Sequence, residues 1–322
     1  MNEKIKVGIV GYGNLGKGVE LAIQQNPDFE LVAIFTRRTP EPGSGLTSIE
    51  KIGEYKGKID VMLMCGGSAT DLPVQVPEIA AQFNTVDSFD THAKIPEFFA
   101  DVDHAAKKGG TLSLISAGWD PGLFSLNRVL MDAALPQGKT YTFWGKGVSQ
   151  GHSDAIRRIE GVADGKQYTV PVAETLESVR RGENKDFTTR EKHRRVCYVV
   201  AKEGADLKQI EHDIVTMPNY FSDYDTEVHF ISQEELNRDH SGLPHGGFVI
   251  RSGESAKGTK QKMEFSLELG SNPEFTSSVL VCCARAVARM AEEGKTGAIS
   301  ILDIPVGLLS PHTADELRKE YL

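Results

Sequence analysis

The sequence predicts an α/β fold, in which a Rossmann-type, doubly wound parallel sheet is followed by a second α+β domain. Three observations predict it. A glycine-rich turn joins an apolar strand to an amphipathic helix within residues 4–25. Apolar strands then alternate with helical patterns up to residue 118, which is the rhythm of a doubly wound sheet. Beyond residue 118 the strands alternate apolar and polar side chains, as in an antiparallel sheet with one face in water.

The first predicted domain, residues 1–118, binds a dinucleotide. Strand 4–10, helix 14–25 and strand 30–36 make a βαβ unit of the length that a parallel connection needs. The later elements are strands 60–65, 84–87 and 111–117 and helices 73–82 and 95–108. Residues 39–58 are expected to form a surface excursion rather than a crossover helix.

The second predicted domain, residues 119–271, is an α+β substrate and dimerisation domain. Its expected strands are 140–144, 166–172, 194–202, 226–232, 247–252 and 260–269, and its expected helices are 173–181 and 206–213. The C-terminal segment, residues 272–322, begins with a helix that ends near Gly294 and is expected to pack back on the first domain.

Length and composition restrict the function. A chain of 322 residues is longer than one hydrophobic core usually supports, and its 39% apolar and 25% charged residues are typical of a globular protein. The net charge of −9 argues against a nucleic-acid partner. Four cysteines without CxxC spacing indicate reduced thiols and no metal site. With no leader or membrane-spanning stretch recognised, a cytoplasmic protein without membrane contact is expected.

The turn after the first strand has the spacing of a dinucleotide-binding motif. It is Gly11-Tyr12-Gly13-Asn14-Leu15-Gly16, placed between a strand and a helix. In this motif Gly11 makes the tight turn, Gly13 lets the backbone approach a pyrophosphate, and Gly16 lets helix and sheet pack closely. The pyrophosphate would lie at the helix amino terminus. A purely structural strand-to-helix turn is the alternative.

The end of the second strand predicts which dinucleotide binds. An NAD enzyme places an acidic residue there for the ribose 2′-hydroxyl, whereas this chain has Thr36-Arg37-Arg38. Each arginine offers a planar fork of donors to a phosphate dianion, so NADP(H) is the predicted cofactor. Two arginines in a solvated loop are the alternative.

Small, acidic and aromatic residues follow the later strands, at the sheet edge where ligands of open parallel sheets bind. Acidic and aromatic side chains there are expected to face the crevice, and Cys65 is expected to pack, because nothing nearby lowers the pKa of its thiol. Taken alone, Asp120 is better explained as a helix N-cap before Pro121 at the first helical position. The predicted cofactor-binding residues are Gly11, Tyr12, Gly13, Asn14, Leu15, Thr36, Arg37, Arg38, Cys65, Gly66, Gly67, Ser68, Thr70, Ser88, Phe89, Ala117 and Gly118.

Motifs distributed over nearly the whole chain are similar to those of one enzyme family. They are Val10-Gly11-Tyr12-Gly13-Asn14-Leu15-Gly16, Phe35-Thr36-Arg37-Arg38, Gly67-Ser68-Ala69-Thr70-Asp71, Gly118-Trp119-Asp120-Pro121-Gly122, Thr142-Phe143-Trp144-Gly145, Ser149-Gln150-Gly151-His152-Ser153-Asp154-Ala155, Pro244-His245-Gly246-Gly247 and Asn272-Pro273. With this set the chain resembles the NADP-dependent meso-diaminopimelate D-dehydrogenases of bacterial lysine and cell-wall metabolism.

The resemblance implies the reaction and the site. The family oxidatively deaminates the D-centre of meso-2,6-diaminopimelate to L-2-amino-6-oxopimelate and ammonia while NADP⁺ is reduced, reversibly, as a homodimer. Asp90 and Asp120 would hold the reacting amino group, and either could accept its proton. The implied substrate-binding residues are Trp119 and Trp144 as walls, the Gln150-Gly151 turn at the proximal carboxylate, Thr169, Arg195 and His245 at the distal carboxylate, and Asn272 near the distal L-centre.

These pocket residues also have structural interpretations. Arg195 lies in a charged run that would usually be a solvated strand start, and the glycines beside His245 could reflect turn geometry. Asn272 could be a helix N-cap, and the two tryptophans could be core residues.

The chain departs from the family at two positions. Lys146 stands where the family has proline, and Phe89 stands where it has tyrosine, so loop stiffness and one hydroxyl contact are expected to differ.

Two other functional classes are compatible with a dinucleotide fold. One is another two-domain NAD(P) oxidoreductase, similar to homoserine dehydrogenase or dihydrodipicolinate reductase, but the catalytic lysine or histidine motifs of such enzymes are not recognised in this sequence. The other is a non-catalytic NADP(H)-sensing protein, which would need no polar clamp for a substrate.

Overall fold

The computed structural model describes residues 3–322; Met1 and Asn2, where the first predicted domain begins, lie outside the described residues. The strands in chain order are β1 (Ile5–Val10), β2 (Phe29–Thr36), β3 (Leu46–Ser48), β4 (Val61–Met64), β5 (Asn84–Asp87), β6 (Leu112–Leu114), β7 (Gly138–Trp144), β8 (Gly147–Val148), β9 (Val162–Pro171), β10 (His193–Ala201), β11 (Asp225–Phe230), β12 (His245–Ala256), β13 (Thr259–Leu269) and β14 (Gly297–Ile299). The α-helices are α1 (Asn14–Gln24), α2 (Leu72–Ala80), α3 (Ile95–Gly109), α4 (Leu123–Ala134), α5 (Gln150–Arg157), α6 (Ala173–Arg180), α7 (Thr189–Lys192), α8 (Leu207–Val215), α9 (Gln233–Asp239), α10 (Asn272–Glu292) and α11 (Ala314–Tyr321).

The chain divides into two compact units. The first contains the residues up to Leu126 together with Pro273–Leu322, and the second is Asn127–Asn272. The first unit therefore extends past the predicted boundary after residue 118, because the turn of residues 118–122 is bonded to the start of α4. In this turn the N–H of Leu123 donates to the carbonyl of Gly118 at 3.0 Å.

The first unit contains the predicted doubly wound sheet. Seven strands lie in the order β14-β6-β5-β4-β1-β2-β3, and every pair is parallel. β4 is buried along its whole length, as expected for a sheet covered on both faces. Strand order reverses between β1 and β4, so ligands are expected at the carboxyl ends of these two strands.

The predicted excursion, residues 39–58, contains two short elements that periodicity did not indicate. β3 pairs in parallel with the end of β2, and a 3₁₀ helix, Ile49–Tyr55, follows it. The seven residues of this helix are too few for the full crossover helix of other βαβ units.

The C-terminal segment belongs to the first unit and completes it. Along α10, Leu280, Cys283 and Val287 are fully buried in the same apolar core as Val7 and Ile9 of β1. After α10 the chain returns to the sheet, where β14 pairs with β6. The core of this unit is therefore built from both ends of the sequence.

The second unit contains two sheets, of which one departs from the expected antiparallel pattern. The three-stranded sheet β13-β12-β7 is antiparallel throughout. In the four-stranded sheet β11-β10-β9-β8, however, β10 and β11 are parallel, because α8 crosses between them. Helices α5, α7 and α9 were not predicted; each is a short polar helix with a serine or threonine N-cap.

Arg285 of α10 anchors the C-terminal segment to the first βαβ unit. Its side chain is 1% exposed, and its Nε donates to Asp28 Oδ2 at 2.6 Å. The same guanidinium donates to Asn26 Oδ1 and to the carbonyl of Leu309. Such a buried cation depends on its counter-charge, because an unpaired charge inside a protein is costly.

We expect Asp28→Asn to lower the free energy of unfolding by about 3 kcal/mol, because the variant leaves a buried guanidinium without its carboxylate. Urea denaturation would measure the loss. Asp315→Asn, which breaks an exposed pair with Arg318, is the matched control and is expected to leave the midpoint unchanged. Equal midpoints for Asp28→Asn and the control would contradict the anchoring role.

Candidate active site

The glycine turn has the geometry that a phosphate-binding turn requires. Gly11 has a φ of +93°, a region that favours glycine. A Cβ at Gly16 would lie 2.1 Å from the carbonyl oxygen of Gly11, so a larger residue would force the turn off the helix. A Cβ at Gly13, in contrast, would meet no atom within 4 Å, so the helix amino terminus is open there. An anion can approach the backbone at this point.

A cleft of about 510 Å³ opens beside this turn, at the carboxyl ends of β1, β2 and β4. The predicted residues that line it are Gly11, Tyr12, Gly13, Thr36, Arg37, Arg38, Cys65, Gly66 and Gly67. Residues not predicted also line it, notably Ser44, Asp71 and Gln75. The predicted residues Asn14, Leu15, Ser68, Thr70, Ser88, Phe89, Ala117 and Gly118 lie outside its lining.

Asp71 orders the arginine side of this cleft. Its Oδ1 lies 2.8 Å from the Arg37 guanidinium, and its Oδ2 accepts the N–H of Gly67 at 3.0 Å. The Gly67 hydrogen bond, aided by the charge of Arg37, lowers the pKa of Asp71. Asp71 therefore stays ionised and pairs with Arg37 beside the cleft, where the Arg37 side chain is 61% exposed.

Cys65 is buried at the end of β4, and burial raises the pKa of its thiol. The residue packs against the turn: a Cβ at Gly11 would lie 3.1 Å from the Cys65 carbonyl oxygen. This geometry supports packing rather than thiol chemistry.

The two candidate catalytic carboxylates follow neighbouring strands of the first unit. Asp90 is exposed after β5, and its N–H donates to Ser68 Oγ at 2.9 Å. Asp120 is half-buried after β6. The N-cap interpretation of Asp120 is wrong, because α4 begins only at Leu123 and Pro121 is not its first residue.

The aromatic residues beside these carboxylates are buried. Phe89 is 1% exposed and stacks on Phe98 at 4.2 Å between ring centroids, so the expectation that its side chain faces the crevice is wrong. Trp119 packs edge-on against Phe124 at 5.2 Å. The Phe89 ring therefore belongs to the core of the first unit.

Asp87, the last residue of β5, is not among the predicted site residues, and the expectation that acidic side chains at this strand end face the crevice is wrong for it. It is fully buried, and burial raises the pKa of its carboxyl to about 7, although hydrogen bonds from the N–H groups of Ser116 and Phe89 oppose this rise. The only signal in the sequence is an acidic residue at the end of a short predicted strand.

In the second unit, Thr169 and Arg195 form the centre of the predicted distal clamp. They are opposite each other on β9 and β10, both are buried, and the Arg195 guanidinium donates to Thr169 Oγ1. The guanidinium also lies over the ring of Tyr224, 3.8 Å from its centroid. The solvated-strand interpretation fails for Arg195, because only its neighbour Arg194 points outward, to Glu227.

His193 was not predicted, yet it lies on the same strand face as Arg195. Its Nε2 accepts the N–H of Trp144 at 2.8 Å, and its ring stacks on the Trp144 indole at 5.2 Å. Burial, aided by the charges of Lys192 and Arg195, lowers the pKa of His193 to about 3. A neutral imidazole therefore supports Trp144 at neutral pH.

Gly147 of the short strand β8 lies between His245 and Thr169. Gly147 pairs with Thr169, and a Cβ at Gly147 would lie 2.4 Å from the His245 ring. The neighbouring glycines reflect close strand packing rather than a turn, since a Cβ at Gly246 would lie 2.1 Å from the Leu267 carbonyl. Burial also lowers the pKa of His245, so this ring is neutral and accepts the N–H of Gly246.

The predicted turn at Gln150 and Gly151 is instead the first turn of α5, a correction to the sequence prediction. Ser149 caps this helix: its Oγ accepts the N–H of His152 and lies 2.7 Å from His152 Nδ1. The N–H of Ser149 donates to the Gln167 carbonyl on β9, two residues before Thr169. Helix α5 is thus held next to the clamp strand, with Gln150 and Gly151 exposed at its start.

Asn272 begins α10, and its N–H donates to the carbonyl of Leu243 at 2.9 Å. This bond holds Asn272 near the start of β12, where His245 lies. Within the second unit, the structure therefore gathers the predicted residues Thr169, Arg195, His245 and Asn272 around β9, β10 and β12.

Across residues 3–322, no group of three or more His, Cys, Asp or Glu side chains is arranged to hold a metal ion. In the same part of the chain, no helix combines the length and the apolar character needed to cross a bilayer.

Comparisons with known proteins agree with this geometry. A family model described as the diaminopimelic acid dehydrogenase C-terminal domain matches residues 118–271. A meso-diaminopimelate D-dehydrogenase of Lysinibacillus sphaericus is 62% identical over 323 residues, which cover 99% of each chain. A structure of C. glutamicum DAP dehydrogenase in complex with DAP is 44% identical, with a TM-score of 0.93 over 99% of both chains.

A structure of an engineered D-amino acid dehydrogenase bound to NADP⁺ is 42% identical, with a TM-score of 0.88 over 99% of this chain and 100% of that chain. The full-length identity and the matched C-terminal domain agree with the glycine turn and with the buried clamp of the second unit. The chain belongs to the meso-diaminopimelate D-dehydrogenase family.

Proposed function

We propose that this protein catalyses the reversible, NADP⁺-dependent oxidative deamination of the D-centre of meso-2,6-diaminopimelate, giving L-2-amino-6-oxopimelate, ammonia and NADPH. The observation that carries the proposal is the buried guanidinium of Arg195. Among residues 3–322 it forms no salt bridge, and its side-chain partners Thr169 and Tyr224 are both uncharged. A buried cation of this kind is stabilised by the carboxylate of a bound substrate.

The residues of the cleft fit NADP(H). The open helix terminus at Gly13 suits the pyrophosphate, and Arg37 and Arg38 with Thr36 suit the 2′-phosphate. When bound, this cofactor accepts the hydride from the D-carbon. The NADP⁺ bound to the engineered relative supports the same cofactor here.

In the second unit, the proposed clamp holds the distal end of the substrate. Arg195, Thr169 and His245 bind the distal carboxylate, and Asn272 lies near the distal L-centre. Because His193 and His245 are neutral, the positive charge of this clamp comes from Arg195. The start of α5, with Gln150 and Gly151, binds the proximal carboxylate, and Trp119 and Trp144 wall the pocket.

The proposed chemistry places Asp90 and Asp120 at the reacting amino group. One of these carboxylates takes the ammonium proton, so that the nitrogen lone pair can form the C=N bond as the hydride leaves the D-carbon. Water then adds to the iminium carbon, and ammonia departs. Holding both ends of the substrate determines which stereocentre presents its hydrogen.

The organisation of the protein follows from the same family membership. We infer a homodimer in the cytoplasm, with the first unit as the dinucleotide-binding part and the second as the substrate and dimerisation part. A role in lysine and cell-wall precursor metabolism accompanies the substrate.

The direct test is a spectrophotometric assay of NADPH formation. We expect turnover with the meso isomer of diaminopimelate and much less with the L,L isomer, since only the meso compound offers a D-centre while an L-centre occupies the distal clamp. NADPH should be consumed when L-2-amino-6-oxopimelate and ammonia are supplied. Absence of turnover in both directions would refute the proposed function.

The cofactor assignment has its own test. We expect the double variant Arg37→Ala and Arg38→Ala to raise the KM for NADP⁺ by roughly 100-fold, because two charge-assisted hydrogen bonds to the 2′-phosphate are lost. The KM for NAD⁺, which lacks this phosphate, is the internal control and should not rise. An unchanged KM for NADP⁺ would show that the arginines do not bind the phosphate.

The clamp assignment can be tested on one strand. We expect Arg195→Met to raise the KM for meso-diaminopimelate by roughly 100-fold and to leave the KM for NADP⁺ unchanged, since a buried charge pair with the substrate is lost. Arg194→Met, at the adjacent exposed position, is the matched control. If both variants changed the substrate KM equally, Arg195 would have no special role.

A further inference from the structure

Asp87 is connected to two active-site segments of the first unit at once. Its Oδ1 accepts the N–H of Phe89 at 2.9 Å and the N–H of Ser116 at 3.0 Å. Its backbone carbonyl accepts the N–H of Ala117 at 2.7 Å. A single residue at the end of β5 therefore joins the segment that follows it to the segment that follows β6.

These two segments carry the two candidate catalytic carboxylates. Phe89 immediately precedes Asp90, and Ser116 and Ala117 lead into the turn of residues 118–122, which contains Asp120. Ser116 has a φ of +56°, a region that serine rarely adopts, so the backbone there needs a specific constraint. The bond from its N–H to Asp87 provides one.

This arrangement lowers the stability of the fold, because it buries polar atoms without hydrogen-bond partners. Asp87 and Ser116 are both buried, and among residues 3–322 neither Asp87 Oδ2 nor Ser116 Oγ has a hydrogen-bond partner. Burial raises the pKa of Asp87 to about 7, which reflects the penalty of an ionised carboxylate at this depth. Buried polar atoms without partners are uncommon and destabilising, so their presence here needs an explanation.

We propose that Asp87 is a positioning residue for the deamination, which sets the placement of Asp90 relative to Asp120 by anchoring both segments to one carboxyl oxygen. The inference rests on the proposed function. Asp87 is fully buried, so it acts through the two segments. What matters in this proposal is the position of the Oδ1 acceptor.

Substitutions at Asp87 distinguish the effect of the Oδ1 acceptor from the effect of the negative charge. Asp87→Ala removes the acceptor, and we expect it to lower kcat for the meso substrate by roughly 30- to 100-fold, because small displacements of reacting groups are costly. The KM for NADP⁺ should change much less than kcat, by no more than about 3-fold, since Phe89, Ser116 and Ala117, whose N–H groups Asp87 accepts, lie outside the lining of the cleft. Asp87→Asn keeps an oxygen at the Oδ1 position, and we expect it to restore kcat to within about 3-fold of wild type.

Thr85→Val is the matched control, because it changes another buried polar residue of β5 without removing the Asp87 acceptor. Thr85 lies two residues before Asp87 on the same face of β5, is equally buried, and has an Oγ1 without a hydrogen-bond partner among residues 3–322. We expect this variant to retain wild-type kcat. If Asp87→Ala does not fold, as judged by thermal unfolding, Asp87→Ser replaces it with the same expectation, since its hydroxyl is too short to reach both N–H groups.

The wild-type assay separates this inference from the proposed function. Lack of wild-type turnover refutes the function, whereas the positioning role is judged only by ratios to an active wild type. A folded Asp87→Ala with wild-type kcat would overturn the positioning role. So would an Asp87→Asn variant as impaired as Asp87→Ala, because charge rather than acceptor position would then matter, or an equal loss in Thr85→Val.

Discussion

Burial of both faces of the parallel sheet is the constraint on which the rest of the first unit depends. Along β4 every side chain is buried, and the last four residues of β1 are buried as well. A charged group along these strands would be desolvated, so ionisable groups are placed where the strands end. The glycine turn, Arg37 with Arg38, and the segments that carry Asp90 and Asp120 all follow carboxyl ends. The chemistry of this unit is therefore concentrated at one edge of the sheet.

The sequence predicted the elements whose side-chain pattern is imposed by that burial. β5 was predicted with its observed bounds, and β1, α1 and β2 were predicted within two residues at each end. Short elements could not be predicted in this way. Helices α5 and α9 extend over about two turns and are mostly polar, so they carry too little periodicity to detect. The parallel pairing of β10 with β11 depends on tertiary packing, which no local pattern encodes.

In the site, too, residues recognised from a short motif could be predicted, whereas residues defined by partners far away in the sequence could not. The glycine turn and the two arginines could be predicted because a short motif, with its residues close together in the sequence, identifies them. His193 and Asp87 could not, because their partners are distant in sequence: the backbone N–H of Trp144 is 49 residues from His193, and that of Ser116 is 29 residues from Asp87. The sequence around Asp87 does not show that its side chain is fully buried at the end of β5. Only the fold shows that one carboxyl oxygen accepts from two segments.

The return of the C-terminal segment to the first unit has a consequence for how the protein is made. The second unit is one continuous stretch, so it can fold as soon as it has left the ribosome. The first unit lacks α10 and β14 until the whole second unit has been synthesised, although α10 supplies much of its apolar core. During translation, the face of the sheet that α10 covers is thus only partly buried, by α1. Strands β1 to β6 are synthesised before the second unit but reach their native packing after it, so exposure to chaperones and proteases is concentrated there.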